Sequence, residues 1–163
     1  MPGRPLDDDG NVLLRFDNGA RGVLFASQVA VGEENGLRLR VYGERGGLEW
    51  SQMEPNSLLV RWPDRPAELR RTGAPGVSTA AGAATRLPAG HPEGFLEAFA
   101  VIYRNFAAAL RARLDGGAPP PDSEDFPTIA DGVRGMAFVE TVVESARRGA
   151  WVPFGAAPES PPS

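Results

Sequence analysis

Histidine exchanges protons near neutral pH, and this chain has one, His91, alongside no cysteine and no lysine. It lies in Leu87-Pro88-Ala89-Gly90-His91-Pro92-Glu93-Gly94-Phe95. Pro92 suits the first position of a helix, because its missing N–H would find no partner there, and a helix start offers backbone donors to an oxygen-rich ligand. The spacing predicts His91 as the preceding cap and makes His91 and Glu93 candidate substrate contacts. Arranging the first helical turn is the competing role for both, and the sequence leaves the two open. A second polar group forms where Ser27 and Gln28 end an apolar stretch and Glu33, Glu34 and Asn35 follow. Gln28 and Asn35 are candidates for binding hydroxyls there, although an ordinary solvated strand end explains them as well. Arg38, Arg40 and Tyr42 alternate with apolar residues, and Arg61 does the same further on. These four are candidates for a protein interface, with solvent exposure as the alternative.

The missing residue types narrow the chemistry. Without lysine every basic side chain is an arginine, and without cysteine there is no disulfide, thiolate nucleophile or common structural zinc site, which suits a reducing compartment. No Gly-x-Gly-x-x-Gly turn joins a strand to a helix, since Gly43-Glu44-Arg45-Gly46-Gly47 connects two strands. Asp7-Asp8-Asp9-Gly10-Asn11 resembles a calcium loop only in part: its glycine falls too early, and Asn18 stands where a bidentate Glu is needed. No metal site is therefore expected. A net charge of −4 and a pI near 5.1, with arginines spread along the chain, give no basic track for nucleic acid. No stretch approaches the length of a membrane span, and the N-terminal residues lack a basic region followed by an apolar one. The expectation is a cytoplasmic protein with neither nucleic acid nor membrane as partner.

These residues must be held by a framework, and the apolar periodicity supplies one. From Asn11 to about Arg71 apolar residues recur every second position, the pattern of strands with one buried face. Val12, Leu14 and Phe16 lead into Asp17-Asn18-Gly19-Ala20, whose Asn-Gly pair suits a hairpin. A strand over 21–29 follows. Leu37, Leu39 and Val41 oppose Arg38, Arg40 and Tyr42, and a turn at 44–47 leads to Leu48 and Trp50. Further strands are predicted over 57–62 and 67–71, around Pro63-Asp64-Arg65-Pro66. Residues 73–89 show neither period and read as a connection, a possible lid over a bound ligand.

Two helices come next. The first runs to about Leu114 with Phe95, Phe99, Ile102, Phe106 and Leu110 as one stripe, and Asp115-Gly116-Gly117 ends it. After the stiff spacer at 118–121 and the acidic run at 122–125, Thr128 with Asp131 predicts the cap of the second. Ile129, Val133, Met136, Val139 and Val143 form its apolar side, and Arg147-Arg148-Gly149 closes it. Ala150 to Phe154 reads as a last strand. The fold class expected is α+β: an open, predominantly antiparallel sheet of about six strands with two main helices packed on one face. Residues 1–6 read as a leader, 7–154 as one domain and 155–163 as a disordered tail.

Several pieces resemble, in order, the C-terminal part of the Gfo/Idh/MocA oxidoreductases. They are Asp8-Asp9 before Phe16-Asp17-Asn18-Gly19-Ala20-Arg21-Gly22, then Ala26-Ser27-Gln28-Val29-Ala30-Val31-Gly32, then Val41 through Trp50. Ala89-Gly90-His91-Pro92-Glu93-Gly94-Phe95, Phe99 with Tyr103, Asp125-Phe126-Pro127-Thr128, Asp131 through Phe138, Ser145 and Gly149-Ala150-Trp151-Val152 continue the match. The resemblance implies an NAD(P)-dependent sugar or cyclitol dehydrogenase or reductase with an N-terminal Rossmann domain, of which this chain matches only the later part. The family's Glu-Lys-Pro lysine and its Asp and His at helical spacing match nothing here, so no catalytic residue is carried over. What the resemblance implies is a substrate-cleft and oligomerisation portion, not catalytically competent alone. It would bind no cofactor by itself, whereas NAD or NADP serves the complete enzyme. Its partners would be a sugar or polyol, a second copy met through the sheet face, and a separately encoded Rossmann domain. A noncatalytic self-associating or partner-binding module, or a gene fragment, is the alternative.

Overall fold

The computed structural model describes residues 6–120 and 125–155. It forms two compact units, Met1–Glu33 with Pro127–Ser163, and Glu34–Phe126. The α+β class, the antiparallel pairing and the two long helices appear as expected. The six strands divide into a two-stranded and a four-stranded sheet among the described residues. Most of the expected leader, the end of the spacer, part of the acidic run and the expected tail from 156 onward lie outside the described residues.

In the first unit β1 (Asp9–Arg15) and β2 (Arg21–Ser27) pair in register from Asp9↔Ser27 to Arg15↔Arg21. Their turn works as the Asn-Gly pair predicts: Asn18 Oδ1 accepts from the Ala20 N–H, and Gly19 takes φ +86°, where a side chain would be strained. Along β1 every second residue, Val12 and Leu14 included, is half-buried.

The last helix, α3 (Ile129–Arg148), starts as predicted. The Thr128 hydroxyl accepts from the Asp131 N–H, the Asp131 carboxylate accepts from the Thr128 N–H at 2.9 Å, and Gly149 ends the helix at φ +59°. Ala150–Phe154 is not a strand, which corrects the expectation. Pro153 has no N–H to give a ladder, and the segment instead anchors rings. The Arg15 guanidinium lies over Trp151 at 4.1 Å, and Phe154 meets Phe138 edge-on at 5.9 Å.

The second unit is a meander of β3 (Arg38–Gly43), β4 (Gly46–Ser51), β5 (Ser57–Arg61) and β6 (Glu68–Arg71). Side chains alternate across it, so the register Arg40↔Glu49↔Leu59↔Leu69 puts those residues on one face, and Val41↔Leu48↔Val60 puts the others opposite. Val60 is the buried centre of that second face.

The stretch read as a connection contains a short helix, α1 (Thr79–Ala84), capped by the Ser78 hydroxyl. Six small residues are too few to show a period. The long helix α2 (Phe95–Leu114) begins three residues after Pro92, with Gly94 as its cap, and not at Pro92 with His91 as cap. The reason is chemical: the Glu97 carboxylate turns back to accept from the Gly94 N–H at 2.8 Å, fixing the start there. Asn105 and Ala109 are its buried residues, beside the phenylalanine stripe, which stays about half exposed. Asn105 Nδ2 donates to the Asp125 carbonyl, and Phe106 meets Phe126 edge-on.

Candidate functional site: a clamped loop carrying the histidine

Residues 86–94 connect α1 to α2 and carry both His91 and Glu93. Their backbone is fixed from three directions. Glu93 Oε1 accepts from the Arg86 and Leu87 N–H groups, each at 2.7 Å, drawing the loop's two ends together. Asn56, in the turn before β5, pairs with the Glu93 backbone in both senses: its Oδ1 accepts from the Glu93 N–H at 2.9 Å, and its Nδ2 donates to the Glu93 carbonyl at 2.8 Å. Thr72, just after β6, donates its hydroxyl to Asn56 Oδ1 at 3.1 Å and its N–H to the Asn56 carbonyl. Gly73 lies against Ala89 so closely that an added Cβ would stand 3.2 Å from the Ala89 Cα.

Within the loop a tight turn closes from the His91 N–H to the Pro88 carbonyl, with Gly90 at φ +87°. The His91 ring folds onto the same carbonyl, its Nδ1 at 3.2 Å from the oxygen. A carbonyl oxygen only accepts, so this contact puts the proton on Nδ1 and leaves Nε2 as an acceptor on an exposed ring.

The sequence candidates therefore separate. His91 is an exposed group that can accept from a hydroxyl, whereas Glu93 spends its carboxylate on its own loop. Asn35 is exposed, and its carbonyl accepts from Gln52 Nε2 at 2.9 Å. Gln28 belongs to the first unit, is exposed, and gives its N–H to the Asp8 carbonyl. Asn56 and Thr72 escaped the sequence reading. Pro55-Asn56 looks like any turn, and only a contact 37 residues away along the chain reveals its role.

The four interface candidates share one sheet face. Arg38, Arg40 and Tyr42 alternate along β3, and Arg61 is level with Tyr42 two strands away through Gly47. Between them Glu49 accepts from Arg61 at 2.6 Å and lies 3.8 Å from Arg40. The Arg61 hydrogen bond, with the charges of Arg61 and Arg40 behind it, holds the Glu49 carboxyl below the usual range.

These residues do not fit a dinucleotide. The glycine-rich turn before β4 leads into a strand, not a helix, and the Gly94 donor at the start of α2 is taken by Glu97. Among the described residues no three imidazole or carboxylate groups converge as a metal site, and no helix is long and apolar enough to cross a membrane.

The architecture is α+β, with a two-stranded and a four-stranded antiparallel sheet and three helices among the described residues. The model of the oxidoreductase family C-terminal alpha/beta domain matches residues 1–154, and the chain belongs to this family, the Gfo/Idh/MocA oxidoreductases. It is 34% identical to the oxidoreductase YfiI of Bacillus subtilis over 151 residues, covering 92% of this chain and 38% of that protein. Among solved structures it resembles an oxidoreductase from Sinorhizobium meliloti, with 47% identity and a TM-score of 0.86, over 94% of this chain and 43% of that one. It also resembles an inositol dehydrogenase homolog from Azotobacter vinelandii in complex with NADH and myo-inositol. There the identity is 35% and the TM-score 0.81, over 90% of this chain and 39% of that one. The chain thus spans about two fifths of these relatives and corresponds to their C-terminal portion.

Proposed function

We propose that these residues are the substrate-cleft and oligomerisation portion of an NAD(P)-dependent oxidoreductase that acts on a sugar, cyclitol or similar polyol. The single observation that carries this reading is the clamped loop, which holds an imidazole acceptor at the surface. A polyol presents hydroxyl donors in a fixed array, and a neutral Nε2 accepts from one of them without needing charge. The likeness to an inositol dehydrogenase homolog bound to NADH and myo-inositol supports both the substrate class and the cofactor.

Hydride transfer needs the reacting carbon held near the nicotinamide and a group that moves the hydroxyl proton. In this reading both lie outside these 163 residues, whose role is to bind and orient. The exposed phenylalanine stripe of α2 and the apolar row Leu39, Val41 and Leu48 fit burial against the portion of the relatives that this chain does not cover.

Calorimetry tests the division of labour. The chain alone is expected to give no binding heat with NADH. Replacing the corresponding segment of the Azotobacter vinelandii homolog with residues 7–154 is expected to preserve myo-inositol-dependent reduction of NAD. Tight NADH binding by the chain alone, or turnover of a polyol by it, would overturn the reading. A noncatalytic self-associating module is the second reading, favoured by the arginines and Tyr42 on one sheet face. It is chosen if the chain dimerises and the chimera is inert.

A further inference from the structure

The sequence offers both His91 and Glu93 as candidate substrate contacts, but the geometry gives them different work. We propose that Asn56 and Glu93 are positioning residues, whose joint task is to fix the 86–94 loop so that His91 stays in its Nδ1–H form with Nε2 presented as an acceptor. The inference deepens the polyol-binding reading, and its functional meaning rests on that reading.

Three observations carry it. First, the ring contact to Pro88 exists only if the loop keeps its turn, because the same carbonyl oxygen accepts from both the backbone and the ring of His91. Second, the turn is tied to the rest of the unit by the paired Asn56 amide on Glu93, beside the close approach of Gly73 to Ala89, while the Glu93 carboxylate on Arg86 and Leu87 closes the loop upon itself. Third, Thr72 engages Asn56 through both its hydroxyl and its N–H, so the amide is oriented from the sheet side before it meets the loop. A free imidazole in water divides its single proton between two nitrogens, and a hydroxyl donor meets the wrong one part of the time. Fixing the proton on Nδ1 removes that loss.

Nitrogen NMR of the imidazole reads this directly, because the chain has one histidine and hence one ring to observe. Read at about pH 8.5, the two ring nitrogens report which one carries the proton. In the full chain the Nδ1–H form is expected to predominate. Glu93→Gln keeps an oxygen that accepts both N–H groups and is expected to retain that form. Glu93→Ala, and Asn56→Asp, which cannot donate to the Glu93 carbonyl, are expected to lose it. Backbone amide spectra of each variant confirm the fold, and the Gln and Asp variants serve if the Ala variant unfolds. A predominant Nε2–H form in the unaltered chain would overturn the inference, as would an unchanged proton distribution in a folded Asn56→Asp or Glu93→Ala chain. Adding myo-inositol separates this inference from the functional reading: a shift confined to Nε2 supports both. A fixed Nδ1–H form with Nε2 unmoved by the polyol leaves the positioning role standing and removes the polyol.

Discussion

Arg61 donates to Glu49 at 2.6 Å from the next strand, and that one carboxylate is what separates its charge from that of Arg40 on the same face. If two copies meet through this face, Glu49 tempers the repulsion between two sets of arginines. Glu49→Gln is expected to weaken self-association, most at low salt, because the exposed charges are screened as ionic strength rises. Tyr42, exposed on the same face, would be the aromatic anchor of such a contact, and Tyr42→Ala is then expected to cost about 2 kcal/mol of association, roughly a 30-fold rise in the dissociation constant. Sedimentation velocity over a concentration series measures both. An unaltered monomer–dimer balance in both variants would remove this face as the contact.

Acid should loosen both units, for a reason that can be given a sign. Glu49 is held below the ordinary carboxylate range by Arg61, Glu97 by the Gly94 N–H, and Asp131 by the Thr128 hydroxyl and N–H. A carboxyl whose pKa is lowered by folding adds stability that is fully present above its ordinary pKa and is lost as the pH falls through the lowered one. Urea midpoints are therefore expected to hold steady from neutrality down to about pH 5 and to decline below about pH 4. Asp131→Asn and Glu97→Gln are each expected to flatten that decline, and a curve of the same steepness in both variants contradicts the assignment.

How much of this was readable in the chain depends on the range of the interaction. Thr128 with Asp131, Asn18 with Gly19, and Gly149 are local devices, and each sits where its neighbours in sequence place it. The strand alternation was also legible, because one-sided burial imposes a period of two. His91 stands out in the sequence by its chemistry alone, and the helix start beside it lies later than Pro92 suggests: Pro92 is permissive at a first turn, but the Glu97 carboxylate decides where the turn begins. Asn56 and Thr72 were invisible for a different reason. Their partners are 37 and 16 residues away, and no local pattern records a pairing made by tertiary contact.

Gly46 predicts a sharp local penalty in the sheet. A Cβ built there would stand 2.5 Å from the Arg61 carbonyl oxygen and 3.3 Å from the Trp62 ring. The oxygen belongs to backbone, so it cannot swing aside as a side chain would. Gly46→Ala is expected to destabilise by about 1–3 kcal/mol, the range for overpacking a fitted site. Gly10→Ala, where nothing lies within 4 Å, is the control and is expected to stay within about 0.5 kcal/mol in urea melts.

The loop offers the same comparison with a functional consequence. Gly73 and Gly90 both have positive φ, at +71° and +87°, so alanine at either costs about 1–2 kcal/mol in backbone strain. They differ in surroundings: a Cβ at Gly90 meets nothing within 4 Å, whereas at Gly73 it would press on Ala89, whose Cα and N lie at 3.2 and 3.3 Å. Gly73→Ala must therefore push the 86–94 loop away from the strand end that carries Thr72, and with it the Asn56 clamp. Gly90→Ala strains only the turn beneath His91. Hydrogen exchange is expected to show faster exchange of the Arg86, Leu87 and Glu93 amides in Gly73→Ala, because those N–H groups depend on the Glu93 and Asn56 contacts. In Gly90→Ala the change should centre on the His91 amide, which is bonded to Pro88. Equal exchange at Arg86 and Leu87 in the two variants would mean that the loop is held by its own turn and not by the sheet.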